Sequence, residues 1–285
     1  MKSFSITALL LCAGLASVSA LANEPAKVQN KATTPRLADG KPDFNGVWVR
    51  DGLGGDTFGG GKREAGGSVC ILCPPEPPPG AAAAAAANPQ AAAAARARMA
   101  PERPKYKPEF EAKVKDLDAR QVEEDPALRC GNPGLPRIGA PDGIVQTPGQ
   151  IVFLYNDLHG AAFRIIPTDG RAHNKDAEES YLGDSVGKWE GDTLVVEAVK
   201  FIEDTWLIDD GAFHTPELKV VERLQLNNGK LEYQAIAHDP SVLAEPWQMR
   251  KRTLKRSDKP MNEPLPCIDR DIDHVVDGTH HDNAR

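Results

Sequence analysis

Glu217-Leu218-Lys219-Val220-Val221-Glu222-Arg223-Leu224-Gln225-Leu226 and Leu231-Glu232-Tyr233-Gln234-Ala235-Ile236-Ala237-His238 are two alternating runs joined through Asn228-Gly229. Period two is the mark of half-buried strands, and Asn-Gly is the strongest short-range hairpin signal because both turn residues need positive φ. The turn sets the register: Leu226 faces Leu231, Leu224 faces Tyr233 and Glu222 faces Ala235. One face therefore reads Leu218, Val220, Glu222, Leu224, Leu226, an apolar row with a carboxylate in its middle and small residues, Ala235 and Ala237, across from it.

The same alternation extends outward. Gln150 to Tyr155 and Ala161 to Ile166 make one pair, and Ser185 to Glu190 and Thr193 to Val199 make another across Gly191-Asp192. Thr205 to Ile208, Trp247 to Arg256 and the early Gly46-Val47-Trp48-Val49 add three more short segments. About nine strands at close spacing predict a mainly β fold, an antiparallel up-and-down barrel with one or two helices. Lys107 to Arg120 reads as one helix, with Pro108 early and Phe110, Val114 and Leu117 at helical spacing.

The flanks are different in kind. Residues 1–22 have the parts of a secretory signal: Lys2, an apolar run from Ile6 to Leu21, and Ala20-Leu21-Ala22 as a cleavage site after Ala22. A periplasmic or secreted protein follows from that. Residues 23–44 read as an extended leader and 45–50 as the first strand. Residues 51–105 form a low-complexity insertion of glycine, proline and alanine that cannot bury enough apolar surface to order itself. The barrel domain then occupies 106–268 and a tail 269–285. No later run is long and apolar enough for a membrane helix, so no stable membrane insertion is expected. A formal charge of −7 argues against a nucleic-acid partner. The one basic run, Arg250, Lys251, Arg252, Lys255 and Arg256, reads as a solvated strand face.

Past the leader stand Cys70, Cys73, Cys130 and Cys267, an even number in an exported chain, which points to disulfides. Three pairings are open. Cys130–Cys267 is favoured because both lie in ordered-looking segments at either end of the domain, and the bond would fasten the tail.

Chemistry centres on Glu222. A carboxylate facing an apolar interior must find a cation or take up a proton. Arg164, inside an apolar strand, and the histidines are the candidate partners. It is then either a structural ion pair or a polar group in a ligand cavity, since small-molecule sites have apolar walls with a few placed polar groups. Two polar loops, Thr168-Asp169-Gly170-Arg171-Ala172-His173 and Trp206 to Thr215, offer His173 and His214 as acids or bases near neutral pH. Ser185 and Trp189 share one face of the Gly191-Asp192 hairpin, Tyr233 stands opposite Leu224, and Tyr155 with Arg164 offers a contact for a substrate oxygen.

Several blocks resemble a recurrent group of exported bacterial proteins without a settled activity. They include Leu37-Ala38-Asp39-Gly40-Lys41-Pro42-Asp43-Phe44-Asn45-Gly46-Val47-Trp48, Gln146-Thr147-Pro148-Gly149, Asp169-Gly170-Arg171-Ala172-His173, Gly183 to Leu194 and Val221-Glu222-Arg223. The resemblance covers most of the chain outside 51–105. It places His173 and His214 within shared pieces, although Ala172 and Asn174 stand where proline is usual. Gly46-Val47-Trp48 is also similar to the opening Gly-x-Trp strand of lipocalin-like barrels, which implies one small, mostly apolar ligand.

The leading expectation is a cofactor-free acid–base enzyme, an isomerase, lyase or hydrolase, acting on a small hydrophobic or aromatic molecule. Glu222, His214 and His173 would be catalytic. Asp169 and Arg171 would order the loop, and Tyr155, Arg164, Ser185, Trp189, Trp206 and Tyr233 would line the substrate site. The alternative is a lipocalin-like binding protein without turnover, in which Glu222 merely pairs with a cation. A metal held by His173, His214, Glu222 and an aspartate has no spacing signature, so no metal or cofactor is expected.

Overall fold

The computed structural model describes residues 34–51, 90, 103–157 and 160–262. The expected signal peptide, most of the expected 51–105 insertion, the tail, and Cys12, Cys70, Cys73 and Cys267 lie outside them.

The deciding hairpin forms with the expected register. Strands Lys219–Asn227 and Lys230–His238 pair antiparallel, with Leu226 opposite Leu231, Leu224 opposite Tyr233 and Glu222 opposite Ala235. Asn228 and Gly229 take φ of 50° and 77°, the positive values such a tight turn demands.

Ten strands follow in chain order: β1 Gly46–Arg50, β2 Gly143–Thr147, β3 Gln150–Asp157, β4 Gly160–Pro167, β5 Asp184–Glu190, β6 Thr193–Val199, β7 Lys219–Asn227, β8 Lys230–His238, β9 Trp247–Gln248 and β10 Arg252–Ser257. They form one sheet in the order β4-β3-β2-β1-β10-β8-β7-β6-β5, with β9 attached to β8. Every pairing along that path is antiparallel. The sheet curls into a nearly closed nine-stranded barrel.

Nine is odd, so direction alternates back to where it began, and β4 and β5 run parallel where the barrel's two edges meet. No ladder joins them. Side chains do: Arg164 Nη1 donates to Ser185 Oγ at 3.2 Å. Further along, a methyl placed on Gly187 would lie 3.0 Å from Ile166 Cγ2 and Thr168 Cγ2. Parallel neighbours need a long return connection. Here it is the irregular stretch 168–183, which carries Asp169, Arg171 and His173.

Inward positions of every long strand fill the barrel, with Trp48, Phe153, Leu194, Leu224 and Tyr233 essentially inaccessible. Phe44 packs against Trp189 with tilted rings 5.3 Å apart at one end, so part of the expected leader is core. The segment Phe201 to Phe213 covers the other end. Helix α1, Glu111–Ala119, with a 3-10 turn Pro108–Phe110 before it and the short α2, Gln121–Glu124, after it, packs there. Phe110 meets Phe213 at 6.0 Å, and Gly211 sits so close to Val114 and Leu117 that no side chain would fit.

The sequence reading differs from the structure in three elements. Gly143–Thr147 is a strand that flanking Pro-Asp and Pro-Gly turn signals hid. Thr205 to Ile208 is a buried loop rather than a strand: four consecutive residues are inaccessible, which alternation forbids, and the chain turns back through Asp210 and Gly211 at φ of 67° and 76°. Trp247 to Arg256 is two strands, β9 and β10, separated at Met249 to Lys251.

Side-chain packing alone holds the β4–β5 edge, so it should be sensitive to bulk. Gly187→Val is expected to lower stability by about 1–3 kcal/mol, read as a shift in denaturant midpoint. An unchanged midpoint would mean that the two strands do not pack there.

Candidate functional site

The interior carboxylate is answered by Arg164. Glu222 lies on β7 with its side chain inaccessible, and Arg164 on β4 is 4% exposed. Arg164 Nη2 donates to Glu222 Oε2 at 2.6 Å and to Oε1 at 2.8 Å. Tyr233 Oη, from β8, donates to Oε1 at 2.9 Å. Tyr155 Oη, from β3, accepts from Arg164 Nε at 3.1 Å and Nη2 at 2.8 Å. Four strands thus converge on one ion pair. Burial, ahead of the Arg164 charge that opposes it, keeps the Tyr155 phenol protonated well above the usual range. Burial and then the Glu222 charge do the same for Tyr233.

This network occupies three of the roughly four acceptor positions of the Glu222 carboxylate and commits both its oxygens to Arg164 and Tyr233. Arg164 retains one possibility. A guanidinium has five N–H groups, and Nη1 is used only on Ser185, which is itself buried.

A cleft of about 450 Å³ opens beside the start of the β4–β5 edge. Residues Ala161 to Ile165 form one wall, Ser180 to Gly183 with Ser185 the other, and Asn132 the rim. Arg164 and Ser185 are among its polar lining residues, and Phe163, Ile165, Tyr181 and Leu182 are its large apolar ones. Arg164 and Ser185 are the expected site residues that line it; Tyr181, Leu182 and Asn132 were not anticipated, because they lie in irregular segments with no periodicity.

The two histidines are elsewhere. His173 lies on the outside of the sheet, where Nδ1 meets Asp184 Oδ2 at 2.7 Å and Nε2 is 3.4 Å from Glu197 Oε1. Its Nε2 is enclosed and has no hydrogen-bond partner. His214 is buried in the end cap. Its Nδ1 faces the Thr215 carbonyl at 3.0 Å and so carries the proton, leaving Nε2 to accept from Thr205 Oγ1 at 2.6 Å. Burial, against the Thr215 carbonyl and Asp239, lowers its pKa and keeps it neutral. The described residues show no hydrogen bond linking Glu222, His173 and His214 to one another. The placement separates them: interior, outer face and cap.

Asp169 and Arg171 pair with each other in the exposed return loop at 2.5 Å, and the Arg171 guanidinium brings Asp169 down to about 2. Trp189 packs on Phe44 at the far end, and Trp206 is buried in the cap beside Phe213. Among the described residues no cluster of three or more His, Cys, Asp or Glu could hold a metal ion. Cys130 is not a free thiol, while its expected partner Cys267 lies outside the described residues.

A second buried ionic node was not foreseen. Arg137 bonds Asp125 at 2.7 and 2.8 Å and Asp209 at 2.5 Å, which ties the 125–137 loop to the cap. Asp209 Oδ2 is buried without a partner. Burial first, then the nearby Asp125 and Asp210 charges, outweigh Arg137 and push Asp209 up to about 6. The chain matches no protein-family model and no curated protein.

Two outcomes follow. Glu222→Gln leaves the Arg164 charge buried and uncompensated, and is expected to cost about 3–5 kcal/mol in urea unfolding. A loss within experimental error would show that the pair contributes little.

For Asp209 the folded value, about 6, exceeds the ordinary 3.8. The fold therefore holds a proton that the unfolded chain has lost, and this group's contribution falls as pH rises through that window. The stability difference between Asp209→Asn and the natural protein should favour the variant by about 1–3 kcal/mol more near pH 7.5 than near pH 4.5. A pH-independent difference would exclude this linkage.

Proposed function

We propose that this chain is an exported, lipocalin-like binding protein that takes a small, partly hydrophobic or aromatic molecule at the β4–β5 edge, without turnover. The supporting observation is the cleft of about 450 Å³, lined by Phe163, Ile165, Tyr181 and Leu182 together with Arg164 and Ser185, whose side chains bond to each other. Its size falls within the range of small-molecule pockets. The polar pair suits a ligand with one carbonyl, hydroxyl or carboxylate oxygen, which the remaining Nη1 hydrogen would meet while the rest of the molecule lies against Phe163, Tyr181 and Leu182.

Binding is favoured over acid–base catalysis because both Glu222 oxygens are engaged by Arg164 and one also by Tyr233 and because neither histidine shares its surroundings. The ion pair then has a different role: it fixes the guanidinium so that its free edge points one way. Preorganised polar groups of this kind reduce the entropy lost on binding.

The probe for a test is 1-anilinonaphthalene-8-sulfonate, an aromatic anion, titrated by fluorescence. Saturable binding at one molecule per chain is expected, weakened about tenfold by Ala162→Trp, which fills the wall, and by Ser185→Val. Circular dichroism and unfolding midpoints must show that the variants fold. Absence of saturable binding by the natural protein overturns the proposal. Native mass spectrometry of the freshly isolated protein separates the two functions: an unaltered co-purified molecule supports binding, and a turned-over one supports an isomerase, lyase or hydrolase.

A further inference from the structure

The 168–183 return connection is held to the barrel at very few points. From Asp169 to Ser180 every residue is exposed except His173 and Ala177, which are half-buried. The backbone is tied at the two ends, where the Thr168 amide donates to the Gly149 carbonyl at 2.8 Å and the Ser180 amide to the Lys200 carbonyl at 3.0 Å. Between them, among the described residues, the hydrogen bonds that leave this stretch all end on one carboxylate. Asp184 Oδ2 accepts from the Asn174 amide at 3.1 Å and lies 2.7 Å from His173 Nδ1. The bonds of Arg171 to Asp169, and of Asp176 and Ala177 to Asn174, stay within the loop.

The His173 ring meets a second strand as well. Asp184 on β5 and Glu197 on β6 stand diagonally on the outer face, since Asp184 pairs with Val199 and Val186 with Glu197. Glu197 Oε1 lies 3.4 Å from His173 Nε2, an enclosed nitrogen that has no hydrogen-bond partner. Behind Glu197 come Lys219 on β7, with Nζ 3.3 Å from Oε2, and His238 on β8, which pairs with Lys219. Burial, followed by the Lys219 charge, holds His238 below the usual histidine range. His173 is instead set between two carboxylates. A neutral ring that donates through Nδ1 to Asp184 turns a lone pair toward Glu197. A charged ring has one hydrogen for each carboxylate. Histidine is the side chain that changes charge near neutral pH, so protonation decides between one tether and two.

We propose that His173 is an acid-closed clasp: charged, it pins the return connection to both β5 and β6, and uncharged, it lets go of Glu197, so that the connection and the cleft wall at its end loosen as pH rises. That wall is the last stretch of the same segment, Ser180 to Gly183, and Ser185 follows directly after Asp184. The consequence for a ligand, a firmer grip in acid, rests on the binding reading given above. The sign follows from the partners. The charged ring gains a contact that the neutral ring lacks, so the added hold is present in acid and is lost through the histidine range. With side chains 23% and 41% exposed, the His173–Glu197 contact is screened by solvent. Its effect is therefore local to the return connection.

Amide exchange, expressed as protection relative to an unstructured peptide at the same pH, tests the clasp on the full chain without a ligand. The reporters are the bonded amides of Asn174, Ala177 and Ser180. Their protection should fall about tenfold between pH values near 5.5 and near 7.5, while amides of β6 and β7 hold constant. His173→Gln, which cannot take up a proton, should lose this response. Glu197→Leu, which removes the second carboxylate, should lose most of it. Constant protection in the natural protein, or the same response in both variants, overturns the proposal. Titration of 1-anilinonaphthalene-8-sulfonate at the two pH values separates the clasp from the binding reading. Affinity about tenfold higher at the lower pH, with the difference lost in Glu197→Leu, supports the link to the cleft. Saturable binding with the same affinity at both pH values overturns that link and leaves the binding reading standing. Absence of dye binding overturns the binding reading, and the exchange result still decides the clasp.

Discussion

The Arg164–Glu222 pair is the constraint around which the barrel is arranged. A charge in an apolar interior costs several kcal/mol unless it meets an opposite charge and its remaining hydrogen-bonding capacity is used. Here the pair joins β4 to β7, and Tyr155 and Tyr233 bring in β3 and β8. A shift of any one of these strands by a single residue would turn its polar group outward and leave the others unpaired. The pair therefore enforces register across the curled sheet more strictly than the surrounding leucines and valines do. It also reaches across the open edge from within, since Arg164 touches Ser185 on the far side.

A second ionic node performs a similar task at the cap. Arg137 lies between Asp125 and Asp209 and binds two irregular loops that have no ladder of their own. The two nodes differ in balance. At the first, one cation meets one anion and two phenols. At the second, two carboxylates share one guanidinium, and one oxygen of Asp209 remains without a partner. Burial, with the neighbouring Asp125 and Asp210 charges added to it, is the reason that Asp209 holds its proton to higher pH than an ordinary aspartate.

The sequence revealed the hairpin and the carboxylate because both follow from periodicity. Glu222 interrupts an otherwise apolar face, and Asn228-Gly229 fixes what lies opposite, so Ala235 could be assigned as its neighbour from spacing alone. Arg164 was recognisable as a partner for the same reason: it is a cation within an alternating apolar run. The residues that escaped notice are in segments without a period. Asp125, Arg137 and Asp209 converge only because loops 125–137 and 206–214 fold together over the barrel end, and nothing in their spacing encodes that meeting. A faint signal was present in Trp206-Leu207-Ile208-Asp209, where a charge follows three apolar residues that have no reason to face water. The histidines misled for the opposite reason. Loop position suggested reactive side chains, whereas His173 is held by Asp184 outside the sheet and His214 by Thr205 and Thr215 in the cap.

The unpaired β4–β5 edge has a mechanical consequence. A barrel closed by a ladder at every seam is an unbroken ring of hydrogen bonds, and any opening must then rip a ladder. This molecule is instead a ribbon rolled until its margins touch. Its margins are held by a guanidinium, a hydroxyl and the fit of Ile166 and Thr168 against a glycine, so they can part and return without breaking a single backbone bond between strands. Any opening of the barrel is expected along that line, because no ladder joins β4 to β5 there.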